Sequence, residues 1–408
     1  MPFDSVPAAT ASAETRPLSV LYVLSSFPVL SETFVSNEIR AMRALGHKIV
    51  PLTIRDHHGP CQPEDEALKP GIQRLEELPR VTAMLRAVMG PARLRAAMRF
   101  IRTQQGLPRR SLLLAAARVA LAARRHGCTH VHAHFAHAAT ATAIAGARLA
   151  GCTVSFIGHG FEVYGTPADL PLKLASADLA VATCFDMRDD MLAMAPGARV
   201  VVVPCGIDPA RFRPRSGASN GRLLAIGRLA PQKGYELLLD ALAALPPMAR
   251  PCIDAVGEGA LRPVLEAKIE ALGLWPWMRL LGARPSGWIA EEGPRYQGFV
   301  APYVICADGD RDTGPIVLKE AMAMGLPVLA SALMGMKETV ADVGGRLILP
   351  GDRRALTDGL GWIAGLSAAE RAAIGRAGRA HIEAGFSLAS QARQLGALFA
   401  GLQARPHA

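Results

Sequence analysis

Asp312 and Glu320 stand eight positions apart in DGDRDTGPIVLKEAMAMGLPVLAS, residues 308–331, and the Thr-Gly-Pro turn between them opens an amphipathic helical pattern. The first amides of a helix have no partner within it, and together with the helix dipole they attract an anion. That spacing suits a grip on a sugar nucleotide. The helix amides near Gly314 and Ile316 would face a diphosphate, one carboxylate would take ribose hydroxyls, and the other would face the sugar. The same residues also suit an ordinary surface helix entered by a turn, because Asp and Thr are common ahead of any helix.

Further groups of the right chemistry lie at the ends of other apolar runs. Arg228 and Lys233 sit on the loop GRLAPQKG after RLLAIGRL, where two cations can neutralise charge on a departing diphosphate. A helix-entry loop with exposed cations would look the same. Glu258, between Gly257 and Gly259, is a candidate nucleobase contact, with the glycines permitting close backbone approach; a plain turn explains it equally. Arg262 stands where a third glycine would complete GxGxxG, so no dinucleotide fingerprint is present.

His159 lies in IGHGFEVYG between two glycines, placed to hydrogen bond a sugar or acceptor hydroxyl, or simply to be satisfied within the fold. His130, His132 and His134 alternate along one short β-rich run, with His137 following. No carboxylate or cysteine in a recognisable spacing completes a metal set, so the sequence calls for no metal; His134 is instead expected to line the cleft on the acceptor side. HExxH and a Walker loop are missing and no serine stands at an elbow between a predicted strand and a helix, so the hydrolase and phosphate-loop readings lose their support.

The elements that must carry these groups follow from periodicity. LSVLYVLSSF, HKIVPLTI, THVHAHF, CTVSFIG, LAVATC and ARVVVVP are predicted strands alternating with helical patterns such as ETFVSNEIRAMRALG. After the Pro- and Gly-rich CGIDPARFRPRSGASNG a second series begins, from RLLAIGRL to LPVLAS. The organisation expected is a tail over 1–17, an acceptor-side domain over 18–207, a linker over 208–221, a nucleotide-sugar domain over 222–385, and a helix over 386–408 packing across both. Alternation of this kind makes two doubly wound α/β domains, whose ligands sit at the carboxyl ends of the strands.

Composition bounds the rest. A chain of 408 residues, half of them apolar, can bury large cores, and its seven cysteines have the scattered usage of a reducing compartment. The first sixteen residues lack a basic stretch followed by an apolar one, and no apolar run is long enough to span a bilayer, so a cytoplasmic location is expected. The net charge of +10 is concentrated: no acidic residue occurs between Glu77 and Glu162, a stretch that holds twelve arginines. Met84, Leu85, Val88, Met89, Leu94 and Met98 interleave with the first of these, predicting a basic amphipathic surface for the anionic inner face of the cytoplasmic membrane. A solvated helical face is the plainer alternative. Nucleic acid is not expected, since aromatic stacking groups are missing from that stretch.

FPVLSETFVSNEIRAMRALGHKI, VHAHFAH, GHGFEVYG, VPCGIDPARFRP, AIGRLAPQKG, VGEG and the 308–331 segment, taken together and in order, resemble the retaining, metal-independent glycosyltransferases of family 4, which have the GT-B fold. The resemblance implies transfer of a hexose from a nucleotide diphosphate sugar to a hydroxyl of a lipid-linked or polysaccharide acceptor, with no cofactor. It implies that Arg228 and Lys233 hold the diphosphate, that Glu320 binds ribose, and that His159 and Asp312 stand at the reacting centre. Asp312 occupies a position where the family usually has glutamate. A Gly-Gly loop common in the family is replaced by Leu30, Ser31, Glu32 and Thr33, of which the last three are candidate acceptor contacts. A non-catalytic nucleotide-sugar or glycan binding subunit and a sugar nucleotide epimerase remain as alternatives on the same fold.

Overall fold

The computed structural model describes residues 17–404 other than 31, 216 and 218. Residues 1–16 of the tail expected over 1–17, and the candidate Ser31, therefore lie outside the described residues. The first half runs β1 (Ser19–Leu24), α1 (Thr33–Ala44), β2 (Lys48–Thr53), β3 (Gln73–Arg74), α2 (Arg80–Val88), α3 (Pro91–Thr103), α4 (Arg109–His126) and β4 (His130–His134). It continues through α5 (Ala138–Ala150), β5 (Thr153–Ile157), α6 (Phe161–Tyr164), α7 (Leu170–Leu174), β6 (Leu179–Ala182), α8 (Phe185–Met194) and β7 (Val200–Val202).

The second half holds β8 (Arg222–Ile226), α9 (Tyr235–Ala244), β9 (Cys252–Val256), α10 (Arg262–Ala271), β10 (Met278–Gly282), α11 (Ser286–Glu292), β11 (Gly298–Ala301) and α12 (Ile316–Ala323). Then come β12 (Val328–Ser331), α13 (Met336–Val340), β13 (Gly345–Ile348), α14 (Arg353–Gly365), α15 (Ala368–Gly385) and α16 (Leu388–Gln403).

The strands form two parallel sheets, ordered β3-β2-β1-β4-β5-β6-β7 and β10-β9-β8-β11-β12-β13. In each the order reverses beside the domain's first strand, between β1 and β4 and between β8 and β11, and the loops diverge there to leave a crevice. Loops after β1 and β4 therefore face the cleft from one side, and loops after β8 and β11 from the other. Strands are near-continuous apolar runs because helices cover both faces, as the fully buried β5 shows. Helix α5 is buried almost all round, and its small residues allow close approach: a Cβ on Gly146 would come within 2.5 Å of Val119.

The arginine-rich stretch resolves into α2, α3 and α4, and its interleaved apolar residues divide. Val81, Leu85, Val88 and Met89 are exposed, at 72%, 58%, 52% and 82%. Met84, Leu94 and Met98 instead pack against the first core, so the predicted amphipathic surface is narrower than the sequence implied. Several arginines are also engaged at carbonyl groups: Arg93 donates to Ala150, Arg124 to Leu149, Arg148 to Ala96 and Ser176, and Arg109 to Arg102. Among the described residues no helix is long and apolar enough to cross a membrane.

The chain passes between the halves twice. After β7 it crosses to the second sheet, and α16 returns to the first domain, where Leu395, Phe399 and Leu402 join a core with Tyr22, Ile39 and Met42. The two crossings lie side by side, Ile207 donating to Phe386 at 2.9 Å and Leu388 donating to Ile207 at 2.8 Å.

Candidate active site

The loops at the two switch points line one cleft of about 900 Å³. On its second-domain wall are Arg228, Lys233, Asp312, Gly314, Ile316 and Glu320; on its first-domain wall are Glu32, Thr33 and His159. The structure thus gathers most of the candidates, separated by up to 288 positions in sequence, around a single space. The domains touch at its floor. Thr313 donates its hydroxyl hydrogen to the His159 carbonyl, and Thr183 and Thr313 are hydroxyl partners at 3.3 Å.

Lys233 is buried and donates to Oδ2 of Asp312 at 2.7 Å, with its ammonium 4.1 Å from the Tyr303 ring centre. Burial alone would lower its pKa, but the charges of Asp312 and Tyr303 beside it hold it above the usual lysine range. Oδ1 of Asp312 accepts from the Gly314 amide at 3.1 Å. Both oxygens of Asp312 are therefore engaged within its own domain, and the Gly314 amide expected to face a diphosphate is occupied. Pro315 has no N–H, so the open amides at the start of α12 are those of Ile316 and Val317, which have no partner among the described residues. Arg228 is exposed on the same wall. Burial raises the Glu320 carboxyl to about 7, opposed by the charge of Arg211.

Two placements depart from expectation. His134 is fully buried and lies behind the cleft, with Nδ1 3.1 Å from Nε2 of His159 and Nε2 3.2 Å from Glu38, so it cannot meet an acceptor directly. Glu258 is outside the cleft lining and is ion-paired with Arg262 at 2.8 Å. The space expected for a ligand beside its glycines is filled by protein: a Cβ on Gly257 would meet the Gly227 carbonyl oxygen at 1.9 Å, and one on Gly259 the Leu229 oxygen at 2.4 Å. These glycines join two loops.

The structure also adds residues that spacing did not single out. Arg284, Arg311 and Gln232 line the second-domain wall, and Phe34, Phe135 and Phe161 the first. Phe34 and Phe135 hold the His159 ring, with centroid separations of 4.3 and 4.7 Å. Phe135 adopts a left-handed φ of 67°, a conformation that costs energy for an aromatic residue and is found where surroundings enforce it. Glu162 accepts from the His159 and Gly160 amides at 2.6 and 3.3 Å and so fixes the loop that carries the imidazole.

Glu38 supplies the carboxylate that the histidine run lacked in sequence: its ligand atom and those of His132 and His134 lie within 4.8 Å of one another, all buried. This set has the donor types of a metal site. Its carboxylate accepts hydrogen bonds from Tyr22, His134 and Gln391, whereas Nε2 of His132, 3.8 Å from the same carboxylate, is buried without a hydrogen-bond partner among the described residues.

Two parallel Rossmann-like domains facing one cleft, with cations and helix amides on one wall and an imidazole on the other, define the GT-B class of fold. The chain belongs to the group 1 and family 4 glycosyltransferases: residues 31–211 match the model described as Glycosyltransferase Family 4, and residues 220–364 the one described as Glycosyl transferases group 1.

WcaL of Escherichia coli, named for colanic acid biosynthesis, is 30% identical over 51% of this chain and 52% of its own length. AmsK of Erwinia amylovora, an amylovoran biosynthesis glycosyltransferase, is 30% identical over 46% of this chain and 48% of its own. The chain thus spans about half the length of these two relatives, and 89% of Salmonella typhimurium WcaL at 26% identity. Among solved structures, a Rickettsia africae glycosyltransferase superposes with a TM-score of 0.73 at 18% identity, covering 96% of this chain and 100% of that one. Anabaena HepE, solved with UDP-glucose, gives 0.69 at 17%, covering 94% and 100%.

Proposed function

We propose that this chain is a retaining glycosyltransferase that moves a hexose from a nucleotide diphosphate sugar to a hydroxyl of a lipid-linked or polysaccharide acceptor in exopolysaccharide synthesis. The observation that carries the reading is the division of one cleft into a cationic wall and a wall bearing His159. Arg228, Lys233 and the Ile316 and Val317 amides face the leaving diphosphate, while Glu320 takes ribose hydroxyls. The names of WcaL and AmsK, and the UDP-glucose bound by HepE, support the same substrate class.

In this scheme the acceptor oxygen bonds to the anomeric carbon on the face from which the diphosphate departs. The bond from that carbon to the β-phosphate oxygen breaks, its electron pair stays with the diphosphate, and the acceptor proton passes to a phosphate oxygen. Positive charge comes from Arg228 and Lys233, so the scheme requires no metal or cofactor. In the same scheme Glu32 and Thr33, which line the first-domain wall, contact the acceptor.

The test is release of nucleoside diphosphate from a panel of sugar donors, with and without lipid-linked acceptors. Release that depends on both donor and acceptor supports the proposal. Folded protein that releases nothing from any common donor would refute it. Donor binding without turnover would identify a binding subunit, and an altered sugar without acceptor an epimerase.

A further inference from the structure

Behind the His159 wall runs a chain of buried hydrogen bonds that the transfer scheme does not use. Glu38, only 1% exposed, receives three donors: Tyr22 at 2.8 Å and His134 at 3.2 Å on Oε1, and the Gln391 amide nitrogen at 2.8 Å on Oε2. The Gln391 orientation is fixed from its other side, where Oε1 accepts from the Gly206 amide at 2.7 Å. With Glu38 the acceptor of all three bonds, Nε2 of His134 carries a hydrogen, and in a singly protonated ring Nδ1 is then bare. That bare nitrogen lies 3.1 Å from Nε2 of His159, which must then supply the hydrogen of the next bond. Burial, and secondarily His134, hold His159 well below the usual histidine pKa, so it is neutral and has one ring hydrogen to place.

We infer that Glu38, His134 and Gln391 are positioning residues that hold His159 with its hydrogen on Nε2, so that Nδ1 offers a lone pair to the cleft. Among the described residues Nδ1 of His159 has no hydrogen-bond partner, and the ring lines the cleft. It accepts a hydrogen bond from a hydroxyl of the sugar or acceptor; this ligand assignment rests on the transferase reading, whereas the tautomer is a property of the protein alone. Gln391 lies on α16 and Gly206 on the stretch between the sheets, so the chain ties the crossing between domains to the orientation of one imidazole.

The test is a long-range proton–nitrogen spectrum of the full chain labelled with ¹⁵N-histidine at pH 7.5, with His159 assigned by the His159→Gln variant. The expected wild-type signature is a protonated Nε2 and a bare Nδ1. Glu38→Gln, which can donate as well as accept, is expected to give a mixture of tautomers at His159, with Gln391→Leu shifting in the same direction. A hydrogen on Nδ1 of His159 in the wild type would overturn the inference, as would an unchanged His159 tautomer in Glu38→Gln. Stoichiometric zinc lost on His132→Gln would overturn it too, since the ion would occupy Nε2 of His134. Should Glu38→Gln fail to fold, the wild-type spectrum and Gln391→Leu decide. With a donor in hand, the two variants are expected to lose roughly 10-fold in kcat with donor KM little changed, as outer partners of an oriented imidazole do. If no protein turns over, the transferase reading falls while the tautomer result stands.

Discussion

Asp312 holds Lys233 with one oxygen and the Gly314 amide with the other, so in the proposed transfer it would act through the cation it places. Asp312→Asn retains one acceptor and removes the charge. It is expected to weaken nucleoside diphosphate binding about tenfold by calorimetry, the value of one charge-assisted hydrogen bond. Glu320 makes a pH-dependent prediction. Its carboxyl is raised to about 7, so a ribose contact that needs the carboxylate must expel a proton on the acid side of that value. Binding is expected to be about fivefold weaker at pH 6 than at pH 7, relative to Glu320→Gln measured over the same range. Equal pH dependence in both proteins would contradict the ribose assignment. Arg228, Lys233 and His159 could be read as candidates because each lies on a loop that follows a strand, and Glu320 because it lies on the helix that such a loop opens. Glu38 was not: it lies inside a helical pattern and acquires meaning only when α1 folds against β4, 96 positions away.

At the scale of elements, the strands that carry the site were readable as apolar runs between turn residues, whereas β3 and β13 were not. β3 has only two residues, and β13, GRLI, shows no burial alternation at the end of a Gly-rich loop. Glu258 shows the limit of local pattern. Glycines after a strand signal a close approach, but which partner approaches is set by register between β8 and β9, and here it is the neighbouring loop. The basic stretch illustrates the same point, since three helices divide its side chains between core, carbonyl partners and surface. What stays outside is an apolar ridge on α2 and the residue after it, Val81, Leu85, Val88 and Met89, flanked by Arg80 and Arg86. Replacing Leu85 and Met89 with serine is expected to weaken binding to phosphatidylglycerol vesicles by about 10- to 100-fold, the loss of two side chains from the interface. Equal binding by the wild type and the double variant in a flotation assay would remove the membrane role of this ridge.

For the molecule as a whole, buried imidazoles set the acid limit. His130 sits between the Thr153 and Ser155 hydroxyls, and burial lowers its pKa from 6.5 to about 3; His132 and His159 are lowered as well, chiefly by burial. The unfolded chain takes up these protons near pH 6.5 while the folded chain refuses them, so stability declines as pH falls from 6.5 toward 3. His130 alone is expected to remove roughly 1–2 kcal/mol between pH 6.5 and pH 5, read as a fall in urea midpoint over that range that is smaller in His130→Phe. A further consequence lies in α16. Its Leu395, Phe399 and Leu402 complete the core of the first domain, although the whole second domain, from Arg222 to Gly385, is made in between. During synthesis the first domain therefore waits, with the Tyr22 and Ile39 side of its core uncovered, until the last helix has left the ribosome. Domains commonly fold in order of emergence; here the half translated first is the half finished last, and a stalled or truncated chain presents that open core as a site for chaperone binding.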